Sequence, residues 1–273
     1  MPAGAPGIYY APMIPFLRWL FAPRYRLLKL LFAAGLLLLI FWFANQAWQL
    51  VNDLRDPRSA GLLQWFSGDE AQREELLTVQ REACPGAPFI LPADGYIGLL
   101  YADPRGPYST SAPHQGIDIF SNADPGVVPV YAAYDGYVRR ETDWQSTLIM
   151  RVPEDPLQPG RQIWLYYTHM ADDEGNDYID QAFPPGTVEK FVEQGTLLGY
   201  TGNYNGGSLR NIGVHLHFSI VQDDGRGIYR NELDFNNSLD PSPYLGRAVN
   251  YHCGEINSGC TADTSCAIPS SGS

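Results

Sequence analysis

Gly213-Val214-His215-Leu216-His217-Phe218-Ser219-Ile220 reads as a β-strand with two unlike faces. Side chains alternate along a strand with period two, so His215 and His217 point the same way. Leu216, Phe218 and Ile220 then point the other way, into an apolar core. Two imidazoles held side by side on a rigid strand can ligate a metal, move a proton, or do one of each.

Working outward, three more segments share that character. His114-Gln115-Gly116-Ile117-Asp118 sets a histidine and a carboxylate four residues apart, on the same face if the stretch is extended. Ile117-Asp118-Ile119-Phe120 alternates like a strand, and Trp164-Leu165-Tyr166-Tyr167-Thr168-His169 is rich in β-forming residues and leads to a further histidine. Between them run TLIMRV, EDPLQPG and QIWLYYTHM, short β runs broken by Gly and Pro. No helix-period segment of about 12 residues or more follows Pro88. The expectation is a mainly β domain built on an antiparallel sheet, one face carrying polar site residues and the other packing the core. Four of the five histidines lie in or beside these runs. His252, in a cysteine-containing tail, looks incidental.

A catalytic zinc site keeps three protein ligands and an open fourth position. His114, Asp118 and His217 offer two nitrogens and an oxygen of compatible softness. Peptide hydrolysis also needs a base to take a proton from water and a group to stabilise the tetrahedral oxyanion. His169 and His215 are the spare imidazoles for those tasks. Any one of these histidines taken alone is better read as satisfying a local hydrogen bond; the set at this spacing is not.

The stretch from about residue 89 to 245 resembles the lysostaphin/LytM-type zinc metallopeptidases, which cut peptide cross-links in bacterial cell walls. The family's His-x-x-x-Asp motif stands here as HQGIDIF (His114, Asp118), and its His-x-His motif as HLHF (His215, His217). The histidine after the central hairpin is matched by His169 in YYTHM, and VYAAYDGYV and EQGTLLGYTG match intervening landmarks. The resemblance implies that His114, Asp118 and His217 bind zinc and that His169 and His215 form the catalytic pair. It also implies a curved sheet or sandwich with an open groove for an extended peptide. Residues 203–211 make a longer polar loop than the family's usual approach to the second motif. Tyr108, six residues before His114, reads better as an ordinary loop tyrosine than as an oxyanion partner.

Residues 30–52 carry no charge, and the core of that run, LLFAAGLLLLIFWFA, is almost wholly apolar. About 20 such residues in a helix cross a bilayer core. Arg18, Arg24, Arg26 and Lys29 precede it and no acidic residue occurs before Asp53, so the positive-inside rule places residues 1–29 in the cytoplasm and the rest outside. A cleaved signal peptide is the competing account. The long leading segment and the poor cleavage context near Asn45-Gln46-Ala47 favour an uncleaved anchor. Those four cations, set against −12 for the whole chain of 273 residues, leave −16 on the remainder. An acidic body argues against nucleic acid as a partner, and it leaves retention near an anionic wall to the anchor.

The expected organisation is a membrane anchor at 30–52, a stem at 53–88, a metallopeptidase domain at 89–247 and a tail at 248–273. In the stem, residues 71–81 (AQREELLTVQR) read as a short helix stopped by Pro85 and Pro88. The four cysteines, Cys84, Cys253, Cys260 and Cys266, all lie in the exported part and lack the Cys-x-x-Cys spacing of structural zinc, so disulfides are expected. Sequence cannot choose among the three pairings; Cys84 with Cys253 would tie stem to tail. The leading functional expectation is a zinc endopeptidase acting on peptidoglycan stem peptides or cross-bridges. A non-enzymatic wall-binding or hydrolase-regulating module on the same fold is the alternative, discriminated by a missing ligand, and none is missing. A carboxypeptidase or amidase acting on the same polymer is a third reading. Oligomeric state is not legible.

Overall fold

The computed structural model describes residues 25–55, 57–79, 82–104, 113–207, 212–253, 259–261 and 263–264. Two compact units divide it, Met1–Ala60 and Gly61–Ser273. In the first, helix α1 (Arg26–Arg55) contains a 23-residue span, Arg26–Trp48, none of it buried, that is long and apolar enough to cross a membrane. Leu36 to Phe43 all present more than half their surface, which water would penalise heavily and lipid would not.

The second unit is mainly antiparallel β. Its strands are β1 (Tyr96–Leu99), β2 (Ile117–Phe120), β3 (Pro129–Tyr131), β4 (Gly136–Arg139), β5 (Leu148–Val152), β6 (Ile163–Thr168), β7 (Lys190–Val192), β8 (Leu197–Tyr200), β9 (His215–Gln222) and β10 (Ser238–Leu239). The larger sheet runs β1-β2-β9-β6-β5-β4-β7, with β10 also on β9, and β3 pairs with β8 in a second, two-stranded sheet. Alternation does the sorting. Leu216, Phe218 and Ile220 of β9, Ile117 and Ile119 of β2, and Leu165 and Tyr167 of β6 join Val130 and Leu198 of the small sheet in one buried core. The opposite face of the large sheet carries His215, His217 and Asp118 at one end. A small aromatic cluster of Trp164, Trp144, Tyr166 and Tyr229 forms a second centre with Ile149 and Val221.

Helices are few. Helix α2 (Pro57–Ser67) opens on proline, whose missing N–H costs nothing in a first turn. Helix α3 (Glu70–Leu76) opens with a capping box: Asp69 accepts from the N–H of Gln72, and the Gln72 side chain accepts from the N–H of Asp69. It is shorter than the helix expected over 71–81. Leu77 turns extended, and Thr78 exchanges both backbone hydrogen bonds with Gly95, so strand-like pairing ends the helix well before Pro85. Helix α4 (Ser242–Leu245) ends at Gly246, whose φ of 63° lies in the left-handed region.

The cysteine pairing also departs from expectation. Cys84 is bonded to Cys260, not to Cys253. The N–H of Thr261 donates to the carbonyl of Gly246 (2.8 Å), and Gly246 packs directly on Cys84, so the returning tail delivers Cys260 to that spot. Cys253 sits in a turn closed on Asn250 and is itself disulfide-bonded. Cys266 and Tyr108 lie outside the described residues.

Candidate metal centre and imidazole pair

Strand β9 is central, and its register builds the site. Asp118 of β2 stands directly across from His217, Phe120 across from His215, and on the other flank Thr168 of β6 is across from His217. Directly opposed residues put their side chains on one face within contact distance. His169 follows Thr168 at φ 71°, a left-handed conformation that a non-glycine residue adopts only when its surroundings hold it there. His114 precedes β2 through Gly116, where a Cβ would come within 2.2 Å of the Phe218 carbonyl. Only glycine lets that segment pass so close.

The five expected site residues therefore converge. His114 Nε2, Asp118 Oδ1 and His217 Nδ1 lie 3.0, 3.1 and 2.9 Å from one another (His–His, His114–Asp, His217–Asp), and all three residues are buried. Their outer atoms decide the tautomers. His114 Nδ1 donates to the carbonyl of Leu100 at 3.0 Å, and His217 Nε2 donates to Glu232 Oε1 at 2.8 Å. A carbonyl or carboxylate oxygen can only accept, so each ring's proton sits on its outer nitrogen when the ring is neutral. Three lone pairs then face one point, an arrangement that a proton on His217 or a bound cation relieves. Burial alone would push the His217 imidazole down, but its hydrogen bonds to Asp118 and Glu232 and their charges raise it to about 10. Asp118 is buried as well, yet His114 and its neighbours hold it well below the carboxylate range. Tetrahedral zinc with bonds of about 2.0–2.2 Å needs donor separations of roughly 3.3 Å, a few tenths wider than those seen. The donor set and spacing fit a divalent metal.

Beside it lie the other two imidazoles. His215 and His169 have ring centroids 4.5 Å apart, and His215 Nε2 is 3.8 Å from Asp118 Oδ2. His169 Nδ1 donates to the carbonyl of Tyr204 at 2.6 Å and His215 Nδ1 to that of Gly213 at 2.7 Å, leaving each Nε2 with a lone pair. Burial, then the nearby His215 and His217, push His169 down to about 3; burial first also lowers His215. Both rings are neutral at neutral pH. Asp118, His169, His215, His217 and Glu232 line one open cleft of ≈ 740 Å³, whose walls include Leu99, Tyr166 and Leu233. His252 is not among the cleft's lining residues and lies in the tail turn, its N–H donating to Asn250 Oδ1 at 2.9 Å.

Glu232 is the residue that strand alternation does not reveal. It lies in the irregular segment between β9 and β10, is 9% exposed, and also accepts from Ser219 Oγ at 3.2 Å. Its charge survives burial because His217 and Ser219 hold the carboxyl below its usual value.

Neither a protein-family model nor a curated protein matches this chain. Solved structures it is similar to include lysostaphin-, LytM- and M23-type peptidases. Lysostaphin is 20% identical, over 70% of this chain and 61% of its own, at a TM-score of 0.37. A mutant catalytic domain of the prophage-encoded M23 protein EnpA from Enterococcus faecalis is 20% identical over 54% of this chain and 91% of that one (TM-score 0.28). A zinc-containing peptidase from Vibrio cholerae is also 20% identical, over 56% and 40% (TM-score 0.31). The match thus spans about three-fifths of the length of lysostaphin.

Proposed function

We propose that this chain is a zinc-dependent endopeptidase of the lysostaphin/LytM type, hydrolysing peptide bonds in bacterial peptidoglycan stem peptides or cross-bridges. The observation that carries the reading is the convergence of three lone pairs, the two imidazoles among them oriented from outside, next to two neutral imidazoles in one open cleft. His114, Asp118 and His217 would hold the metal. When bound, zinc supplies Lewis acidity, polarising a carbonyl and making water acidic near neutral pH.

The remaining steps belong to the protein's own groups. The lone pair on Nε2 of His169 or His215 takes the proton that attacking water gives up. Two buried rings at 4.5 Å disfavour a positive charge on both, so the pair takes up only one proton beyond the Nδ1–H that each ring already holds. That proton then goes to the leaving amine, and the imidazolium that holds it meanwhile stabilises the developing oxyanion. The cleft walls of Leu99, Tyr166 and Leu233 exclude water from one side of a bound peptide.

The helix Arg26–Arg55 supports anchorage through residues 30–52, with residues 1–29 in the cytoplasm and the catalytic domain, residues 89–247, outside the membrane where such a substrate lies. The test is chemical. Full-length zinc-loaded protein incubated with several purified peptidoglycans should release peptides with new amino and carboxyl termini, identified by mass spectrometry, and a chelator should stop the release. Loss of only a terminal residue, or cleavage at the sugar–peptide amide, would reassign the reaction.

A further inference from the structure

Helix α2 reaches the reactive face of the sheet through one side chain. From Gly61 onward this helix lies against the β1–β2 edge: Trp65 is buried against Tyr96 with ring centroids 5.5 Å apart, and Leu62 meets Gly98. Phe66, the next residue, sets its ring edge-on to Phe120 at 5.3 Å and 82°. Phe120 in turn lies almost parallel to the imidazole of His215, at 5.0 Å and 30°. The Phe66 ring also occupies the space at Gly213, where an added Cβ would come within 2.7 Å of it. The Gly213 carbonyl is the acceptor for His215 Nδ1–H. Phe66 therefore touches two of the groups around His215: Phe120, which stacks on its ring, and Gly213, whose carbonyl sets its tautomer. Yet 58% of Phe66 is exposed, so core burial does not account for an aromatic ring there.

We infer that Phe66 is a positioning residue for His215, acting through Phe120 and Gly213. This rests on His215 being a proton-transfer group of the proposed peptidase. Aromatic pairs fix orientation as well as contact, and an imidazole must aim its Nε2 lone pair within a narrow angle to accept a proton at full rate. The working site thus includes a residue of the segment preceding the sheet, far in sequence from either histidine motif.

The test uses full-length protein in detergent micelles, zinc-loaded for turnover of a soluble cross-linked muropeptide and metal-free for histidine-labelled NMR. In Phe66→Ala, kcat should fall roughly tenfold with KM and zinc content unchanged. The His215 ring-proton resonance should also move, because Phe120 no longer lies flat on it. Phe66→Tyr should restore both. Leu63→Ala removes a side chain of similar exposure (51%) from the same helix and should match wild type. If Phe66→Ala is indistinguishable from Leu63→Ala in kcat and in the His215 resonance, Phe66 has no positioning role. If wild type shows no turnover while Phe66→Ala still shifts the His215 resonance, the positioning stands and the peptidase reading falls.

Discussion

Nε2 of His217 lies 2.8 Å from Oε1 of Glu232, and that contact decides which nitrogen His217 turns towards His114 and Asp118. A ligand imidazole commonly donates its far N–H to a carboxylate, which fixes its tautomer and raises its basicity. Loss of such a partner typically costs about 10–100-fold in metal affinity. Glu232→Ala should weaken zinc binding by that order, and Glu232→Gln, which keeps an acceptor but loses the charge, should weaken it less. Competition with a chromophoric chelator measures both.

A proton on His217 occupies the point where the proposed metal would sit, which gives the metal-free protein a distinctive pH profile. His217 is raised from 6.5 to about 10 on folding, so its contribution to stability is complete below about pH 6.5 and is lost as pH rises through 10. His169 is lowered from 6.5 to about 3, and His215 is lowered too, so the unfolded chain gains protons first as pH falls below 6.5 and stability drops there. Metal-free protein should therefore melt highest near pH 6.5. Zinc replaces the proton on His217 and should flatten the alkaline limb. Thermal melts from pH 4 to 10 with and without zinc check this.

His169 and His215 donate outward to backbone carbonyls and lie outside the cluster of His114, Asp118 and His217 donors. Alanine at either position should leave zinc stoichiometry intact while lowering turnover by about 10²–10⁴-fold, the usual worth of a general acid–base group. Loss of zinc from either variant would show that the ring belongs to the metal centre.

The bond from Cys84 to Cys260 closes a loop with a sequence separation of 176 residues. Loop-closure entropy for such a length is worth about 5 kcal/mol in the chain-entropy account, although strain and residual structure usually reduce it. Cys260→Ser should lower the melting temperature under non-reducing conditions, and peptide mapping should recover the Cys84–Cys260 linkage in wild type.

The sheet face was legible because β alternation is strict: once His215 and His217 share a strand face, Asp118 and His169 need only a register to meet them. Glu232 was not legible, since it reaches His217 from an irregular segment where no period says which way a side chain points. Helix α2 was missed for a related reason. Its apolar residues Leu62, Trp65 and Phe66 do fall at i, i+3 and i+4, but a single such turn is too short a run to mark a helix, and of them Trp65 is buried while Phe66 is mostly exposed. The cysteine pairing depended on where Gly246 turns the chain, a tertiary fact with no local signature.

Metal analysis of full-length protein, stripped with chelator, reloaded with zinc and desalted, tests most directly whether the three buried donors His114, Asp118 and His217 hold one metal ion. One zinc per chain in wild type, falling to none in His217→Ala while that variant keeps its wild-type circular dichroism, is the expected result. A folded His217→Ala protein that retains one zinc per chain, or a wild type that retains none, would contradict it.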